Sequence, residues 1–238
     1  MFIVIRKNNI LFLAAIVIMS FIMLNFSLKN ELETVFVHSG RYVVVLDPGH
    51  GDIDGGAVGK NGSLEKDINL SVCKKLQSYL EKSGIFTVIT RNDDTPVVDT
   101  NGKTVRQIKR EDLKYRRDMR DIENADIFIS IHMNKFPDEK YKGAQTFYAK
   151  TPAKSKVLGE KIQKNLIEIL DKSNNRMAKE AENSIYILKD SKKPSVIVEC
   201  GFLSNEEEEK LLLTDDYQAK VAWAIYAGIN EYFTEMKQ

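Results

Sequence analysis

Strands alternating with helices predict one α/β domain, its sheet largely parallel and flanked by helices on both faces. Three observations carry this. Residues 42–46, 126–131 and 195–198 are short, almost continuously apolar runs rich in Val and Ile, the pattern of strands buried on both faces. Between them lie longer segments whose apolar residues recur at helical spacing. The chain has 238 residues, enough for a full core in one domain, and neither an internal repeat nor a low-complexity stretch divides it.

In chain order, the first run leaves sharply through Asp47-Pro48-Gly49, and the glycines at 49, 51, 55, 56, 59 and 62 make the next stretch a loop. Over 64–82, Leu64, Ile68, Val72, Leu76, Tyr79 and Leu80 mark a helix that Gly84 ends, and 85–90 reads as a second strand. Residues 91–110 turn polar, with Asn92-Asp93-Asp94, Pro96 and a turn pair at Asn101-Gly102, which predicts a long exposed loop. A charged amphipathic helix over 111–124 follows, then the strand 126–131, an alternating edge strand at 143–149 and a helix over 154–171. A polar linker at 173–175 precedes a short strand at 185–188 and the strand 195–198. The acidic run Glu206 to Glu209 opens a helix, where negative charge is favourable, and a helix over 215–233 closes the chain.

The first residues depart from this pattern. Arg6 and Lys7 precede an apolar run over 10–24, followed by a polar stretch, which is an export signal. The run suits a signal-peptide core and, extended by Phe26 and Leu28, approaches the roughly 17 to 25 residues of a tilted span. No small-x-small cleavage triplet follows it, so a cleaved signal and an uncleaved anchor both remain open, and either places the rest of the chain outside the cytoplasm. The expected division is a signal or anchor at 1–28, a linker at 29–40 and a catalytic domain at 41–238. His38 falls in the linker with nothing to pair with it. A formal charge of +1 builds in no general attraction to nucleic acid or acidic membranes, and the lysines over 135–156 read as a solvated face. Cys73 and Cys200 lie in no close metal-binding spacing, and a single bridge between them stays open.

Three strands deliver an ionisable residue at or beyond their C-terminal ends: His50, His132 and Glu199. In open α/β sheets that edge is where ligands bind. A lone histidine there is more often a satisfied loop or core residue, but three such residues together point to a site. Glu199 ends a Val-Ile-Val strand, where desolvation raises a carboxyl pKa and prepares it to exchange protons near neutral pH. Glu65 by itself reads as a helix-start residue favoured by the macrodipole. Its place on the helix fed by the glycine loop that begins at His50 lets both face one point. Two histidines and a glutamate form a known catalytic zinc set with the fourth position open.

The strings 46–51 (LDPGHG), Glu65 four residues before Asn69, 128–134 (FISIHMN) and 198–205 (VECGFLSN) occur in order. This series resembles that of the zinc-dependent N-acetylmuramoyl-L-alanine amidases of the AmiC-like family (amidase type 3), from about Tyr42 to the C-terminus. Within it the chain is most similar to the small germination-specific CwlD amidases of spore formers, which share an N-terminal hydrophobic segment, and Asn175-Arg176, Lys179, 186–188 and Pro194-Ser195 extend the likeness. The resemblance implies a mixed six-stranded sheet flanked by helices, Zn2+ held by His50, Glu65 and His132, and Glu199 as the catalytic carboxylate. It implies cleavage of the amide joining muramic acid to L-alanine in peptidoglycan, in spore cortex for the germination branch (muramic-δ-lactam formation). The family includes amidases that need an activator protein, which makes a partner at the membrane surface an expectation here, and residues 92–109, long, polar and unexplained by the core, are its candidate contact. Asn134 is a candidate for a contact beside the site or with substrate. The chain departs from the family pattern at Arg120-Asp121, where many relatives have a small residue and Asn, which bears on helix packing near the site.

Two rival readings start from the same residues. In one, Cys200 is a nucleophile with His132 or His50 as base; against it, a residue adjacent to Glu199 on a strand points to the other face. In the other, a membrane-tethered binding protein keeps the fold without turnover.

Overall fold

The computed structural model describes residues 42–236. The export segment, the linker and His38 lie outside the described residues. The elements, in order, are β1 (Val43–Pro48), α1 (Glu65–Lys82), β2 (Phe86–Ile89), α2 (Val105–Arg120), β3 (Ile127–Asn134) and β4 (Gln145–Tyr148). Then come α3 (Lys154–Ile169), β5 (Lys179–Glu180), β6 (Ser195–Phe202), α4 (Glu206–Leu212) and α5 (Asp215–Glu235). They build a six-stranded sheet in the order β2-β1-β3-β6-β4-β5. Every neighbouring pair is parallel except β4 with β6, so the sheet is largely parallel, as the strand and helix pattern predicts, and mixed, as the resemblance implies.

Alternation along the central strands sorts side chains to two unlike faces. Val44, Leu46, Ile127, Ile129, Ile131, Val196, Val198 and Cys200 join the large apolar core with α1, α3 and α5. On that face α3 and α5 approach so closely that a Cβ on Gly228 would lie 2.6 Å from the Ile162 Cα, which only glycine permits. The intervening residues Val45, Phe128 and Ile197 belong to a smaller core with Ala125, Ala149, Ile187 and Leu188. That core is closed by the end of α2 and the segment 181–193. Among the described residues, no helix is long and apolar enough to cross a membrane.

Several elements differ from the expected ones. The helix expected over 111–124 begins earlier, at Val105, because Thr104 and Gln107 form a capping box: the Thr104 N–H donates to Gln107 Oε1 at 2.8 Å and the Gln107 N–H to Thr104 Oγ1 at 3.4 Å. The polar loop is correspondingly shorter. Residues 185–188 form turns, not a strand; Ile187 and Leu188 are apolar because they cap the smaller core. The strand expected at the sheet edge around 143–149 is second from it, since the unexpected two-residue β5 lies outside. Strands β3 and β6 also run further than their apolar runs, so His132 and Glu199 lie within them rather than beyond them.

Candidate metal and catalytic site

The smaller-core face turns polar towards the C-terminal ends of β1, β3 and β6. Asp47, Ser130, His132 and Glu199 continue the alternation of Val45, Phe128 and Ile197, so all four project on this face. His132 and Glu199 are Cα partners across β3 and β6, and Gln145 of β4 is the partner of Glu199 on its other side. One row across the sheet therefore carries His132, Glu199 and Gln145.

His50, Glu65 and His132 come together as a group: one ligand atom from each lies within 4.8 Å of the others. Glu65 is the hub. Its Oε1 is 2.9 Å from His132 Nδ1 and accepts from the Met133 N–H at 3.0 Å, while its Oε2 is 3.2 Å from His50 Nε2 and accepts from the Ala57 N–H at 2.7 Å. Two backbone N–H groups from separate elements thus fix a buried carboxylate between two imidazoles. Burial would raise the Glu65 pKa, but His132 and His50 outweigh it and hold the carboxyl well below the usual range. Burial likewise works against a charged His50, yet its hydrogen bonds to Asp54 and Glu65 prevail and push it up to about 9. The imidazoles and the carboxylate thus stabilise each other's charged forms against burial.

Glu199 shows the opposite balance. Burial dominates and raises its pKa to about 7, with His132 pulling down and Glu65 pushing up. Its Oε2 is shielded from solvent and has no hydrogen-bond partner among the described residues. A buried oxygen left unpaired costs free energy, which is tolerable where a reacting group completes it.

The loop carrying His50 is held under strain. His50 has φ 62°, a left-handed conformation unfavourable for a residue with a Cβ. Two buried arginines stabilise it through its carbonyls. Arg116 donates to Pro48 O at 2.7 Å and His50 O at 2.6 Å, and Arg91 donates to Pro48 O at 3.0 Å and Gly49 O at 3.2 Å. Arg116 also pairs with buried Asp47 at 2.7 Å, which accepts from Thr90 and Ser130 hydroxyls at 2.6 Å each. Gly49 is required sterically: a Cβ there would sit 2.3 Å from the His132 ring. Asp54 orients His50, with Oδ2 2.9 Å from Nδ1, and is itself held by Lys109 at 2.8 Å.

Sequence reasoning identified His50, Glu65, His132 and Glu199, and the fold brings all four to one place. It assigned no role to Asp54, Arg91 or the Asp47–Arg116 pair; the spacing of four between His50 and Asp54 was the available signal for the first. It also read Glu209 only as a helix-start charge. Glu209 opens no surface: it is fully buried and accepts from the Asn61 N–H at 3.1 Å and the Ser63 hydroxyl at 2.6 Å, bracing the loop that leads to Glu65. Arg120 and Asp121 pack in a defined way. Arg120 is fully buried and donates to Ile187 O at 2.6 Å and Lys189 O at 3.0 Å, while Asp121 accepts from Arg120 and the Lys192 N–H, tying α2 to the segment over the smaller core. Asn134 meets Phe202 at the end of β3, where its carbonyl accepts from the Leu203 N–H at 2.8 Å. Cys200 and Cys73 are free thiols, fully buried in the large core, and burial pushes both well above the ordinary thiol range. Cys200 thus faces away from Glu199, which removes it as a nucleophile.

A family model described as N-acetylmuramoyl-L-alanine amidase matches residues 44–231. The germination-specific N-acetylmuramoyl-L-alanine amidase of Bacillus subtilis is 41% identical over 197 residues, covering 83% of this chain and 81% of the relative. LytC, an N-acetylmuramoyl-L-alanine amidase of the same organism, is 36% identical over 87% of this chain but only 37% of its own length. Among solved structures, the CwlD amidase of Clostridioides difficile, in complex with the GerS lipoprotein, superposes with a TM-score of 0.79 at 48% identity, covering 82% of this chain and 99% of that one. With the matched region spanning the sheet, its helices and all four converging residues, the chain belongs to the N-acetylmuramoyl-L-alanine amidase family.

Proposed function

We propose that this protein is a zinc-dependent hydrolase of the amide between N-acetylmuramic acid and L-alanine in peptidoglycan, with His50, Glu65 and His132 as metal ligands and Glu199 as the proton-transferring carboxylate. The convergence of the three donor groups beside an unpartnered Glu199 oxygen is the observation that carries this reading. Two imidazoles and one carboxylate, without a thiolate, suit zinc and leave a coordination position open. Metal binding there requires both imidazoles to be deprotonated, and Asp54 on His50 Nδ1 leaves Nε2 as the nitrogen turned to the Glu65 carboxylate.

When bound there, zinc would polarise the amide carbonyl and make water nucleophilic at neutral pH. Glu199 accepts the proton released during attack and returns it to the leaving nitrogen of L-alanine. The return is necessary because an amide nitrogen is a poor leaving group. Burial by the protein alone raises the Glu199 carboxyl to about 7, which offsets the pull of a nearby cation and keeps proton exchange near neutral pH within its reach. Asp54 and Lys109 keep His50 in position, and Arg91 and Arg116 keep its loop from relaxing.

The reading extends to spore cortex as the substrate and to a protein partner at the membrane surface. Supporting it are the germination-specific name of the Bacillus relative and the lipoprotein in the Clostridioides structure. Export of the domain, by a cleaved signal or an anchor, follows from the apolar run over 10–24. The decisive experiment combines elemental analysis of the purified protein with amide cleavage on isolated peptidoglycan, before and after chelation. One zinc per chain and chelator-sensitive release of the stem peptide are expected. Full activity after complete metal removal would overturn the reading, as would metal-loaded protein without turnover on vegetative wall or cortex even when an extract of the parent cells supplies the partner, the second outcome in favour of a binding protein.

A further inference from the structure

We propose that Phe136 and Tyr141 form a platform at the lip of the site on which the glycan strand of the substrate lies, an inference that rests on the amidase reading. After Asn134 the chain leaves β3 and enters the segment 135–142. Phe136 and Tyr141 are 47% and 39% exposed there. They are nevertheless ordered against each other, edge to face with centroids 4.7 Å apart, and Tyr141 stacks towards Phe202 at 6.4 Å. Phe202 also carries the Arg176 guanidinium, 4.7 Å from its ring centroid.

The segment is pinned at several points. The Phe136 N–H donates to Ser204 Oγ at 3.1 Å, Lys135 Nζ to Val58 O at 2.9 Å and Asn205 Nδ2 to Glu139 O at 2.9 Å, and Lys60 pairs with Glu139. Holding two large rings half in water contributes little to folding. A fixed, exposed aromatic cluster beside a reactive centre marks a binding surface.

Position and chemistry select the occupant. Phe202 lies three residues beyond Glu199 and Phe136 four beyond His132, so the chain places the platform at most roughly 10 to 14 Å from the row that carries the chemistry. That is within the reach of a short run of linked pyranose units. A muramoyl amide leaves the centre in two directions, as a glycan and as a peptide. A pyranose ring offers a flat C–H face with hydroxyls at its rim, which packs on an aromatic face while the rim reaches polar neighbours such as Lys140, whose ammonium lies 5.6 Å from the Tyr141 centroid. A stem peptide has no such flat face and is recognised through its carboxylates. A carboxylate would have to displace existing partners here: Lys140 is paired with Asp138 at 2.7 Å, Lys60 with Glu139, and Arg176 donates to Lys142 O at 2.9 Å and Gln145 Oε1 at 3.0 Å, whereas sugar hydroxyls can share them.

The test replaces both rings by Leu (Phe136→Leu with Tyr141→Leu), which keeps apolar bulk and removes the flat faces, with Tyr141→Phe as the conservative control. Turnover is compared on long-glycan peptidoglycan fragments and on a single-sugar muramoyl peptide, and binding of peptide-stripped glycan strands is measured by calorimetry. For the double variant KM on the long substrate should rise about tenfold, the worth of two modest aromatic contacts, with kcat and the single-sugar reaction unchanged. Stripped glycan should bind the parent and Tyr141→Phe but not the double variant. Equal glycan binding by parent and double variant overturns the proposal, as does a double variant impaired only in stimulation by a partner protein, which would assign the rings to that protein. Because the calorimetry needs no turnover, a parent that stays inactive even with an extract of the parent cells supplying the partner, yet binds glycan through these rings, would sink the amidase reading and leave the platform standing.

Discussion

The two faces of the sheet are stabilised by different chemistry. Beneath α1, α3 and α5 lies a continuous apolar core, mostly Leu, Ile, Val and Ala with a few aromatic and sulfur side chains. On the other face a smaller apolar core gives way to Asp47, Arg116, Ser130 and Arg120, all buried and all paired. Replacing a buried ion pair with apolar residues is often neutral or better for stability, so stability alone does not account for the polar face. Its arginines bind carbonyls of the strained His50 loop and of the segment over the smaller core. The helical face makes the sheet stable, and the polar face converts that stability into a fixed site geometry.

The largest expected effect lies on the polar face. Glu199→Gln keeps the shape of the side chain but removes the base, so amide cleavage should fall by about 10²-fold or more. Zinc content and Tm should stay near the parent. Loss of zinc in this variant would make Glu199 a ligand, and near-parental turnover would make it structural. Replacing His50, Glu65 or His132 with Ala should instead remove zinc along with activity, a distinction that elemental analysis reads directly.

Breaking the buried pair comes next. Arg116→Met leaves Asp47 buried without its cation, which costs about 3–5 kcal/mol at neutral pH, measurable by urea denaturation. In the parent, Arg116 and the Ser130 and Thr90 hydroxyls lower the Asp47 pKa against burial. That stabilisation is present above the unfolded carboxylate value, about 4, and is lost as pH falls through the lower folded value. In the variant burial goes unopposed by the guanidinium, so the carboxyl is raised and the fold loses stability as pH rises through the range above 4. The deficit relative to the parent should therefore be greatest near neutrality and shrink on acidification. A deficit that grows towards acid would refute the assigned role of the pair.

This contrast also explains what could be read from the sequence. The three buried strands and α1, α3 and α5 were legible because apolar periodicity reports burial, and they belong to the apolar face. The four site residues were legible because each interrupts or follows such a pattern. Arg116, Asp47, Asp54 and Glu209 look like surface charges in the sequence, since nothing local tells a buried, paired charge from a solvated one. The misplaced start of α2 had a local signal in Thr104 and Gln107, but a loop rich in turn residues obscured it. Residues 185–188 have the composition of a strand because they cover an apolar surface, which tests burial and not backbone conformation.

On the helical face a smaller effect is expected. Gly228→Ala would force a methyl group to within 2.6 Å of the Ile162 Cα, so α3 and α5 must separate. Overpacking of this kind typically costs about 1–3 kcal/mol. Thermal unfolding should shift down accordingly while zinc content and turnover per folded molecule hold, because no residue of α3 or α5 touches the site. A loss of turnover larger than the loss of folded protein would mean that the two faces are coupled more tightly than their separate cores suggest.

The smallest effect should come from the thiols, and it bears on chemistry as much as on packing. Cys73 and Cys200 both lie in the apolar core, and Cys200 follows the proposed base in sequence while projecting from the opposite face of β6. As small buried hydrophobes they should tolerate Ala at a cost of about 1 kcal/mol each, the usual centre of single-substitution effects. Ser would cost more, because a hydroxyl in that core must find a partner; the Val198 carbonyl, 3.6 Å from the Cys200 sulfur, offers only a poor one. The double Cys→Ala variant should thus fold with a modestly lower Tm, bind one zinc and cleave peptidoglycan at nearly the parental rate. It should also be indifferent to thiol-alkylating reagents, as should the folded parent, whose thiols are buried and held protonated. Loss of turnover on Cys200→Ala with zinc and fold intact would restore the thiol mechanism and move the chemistry from the polar face to the apolar one.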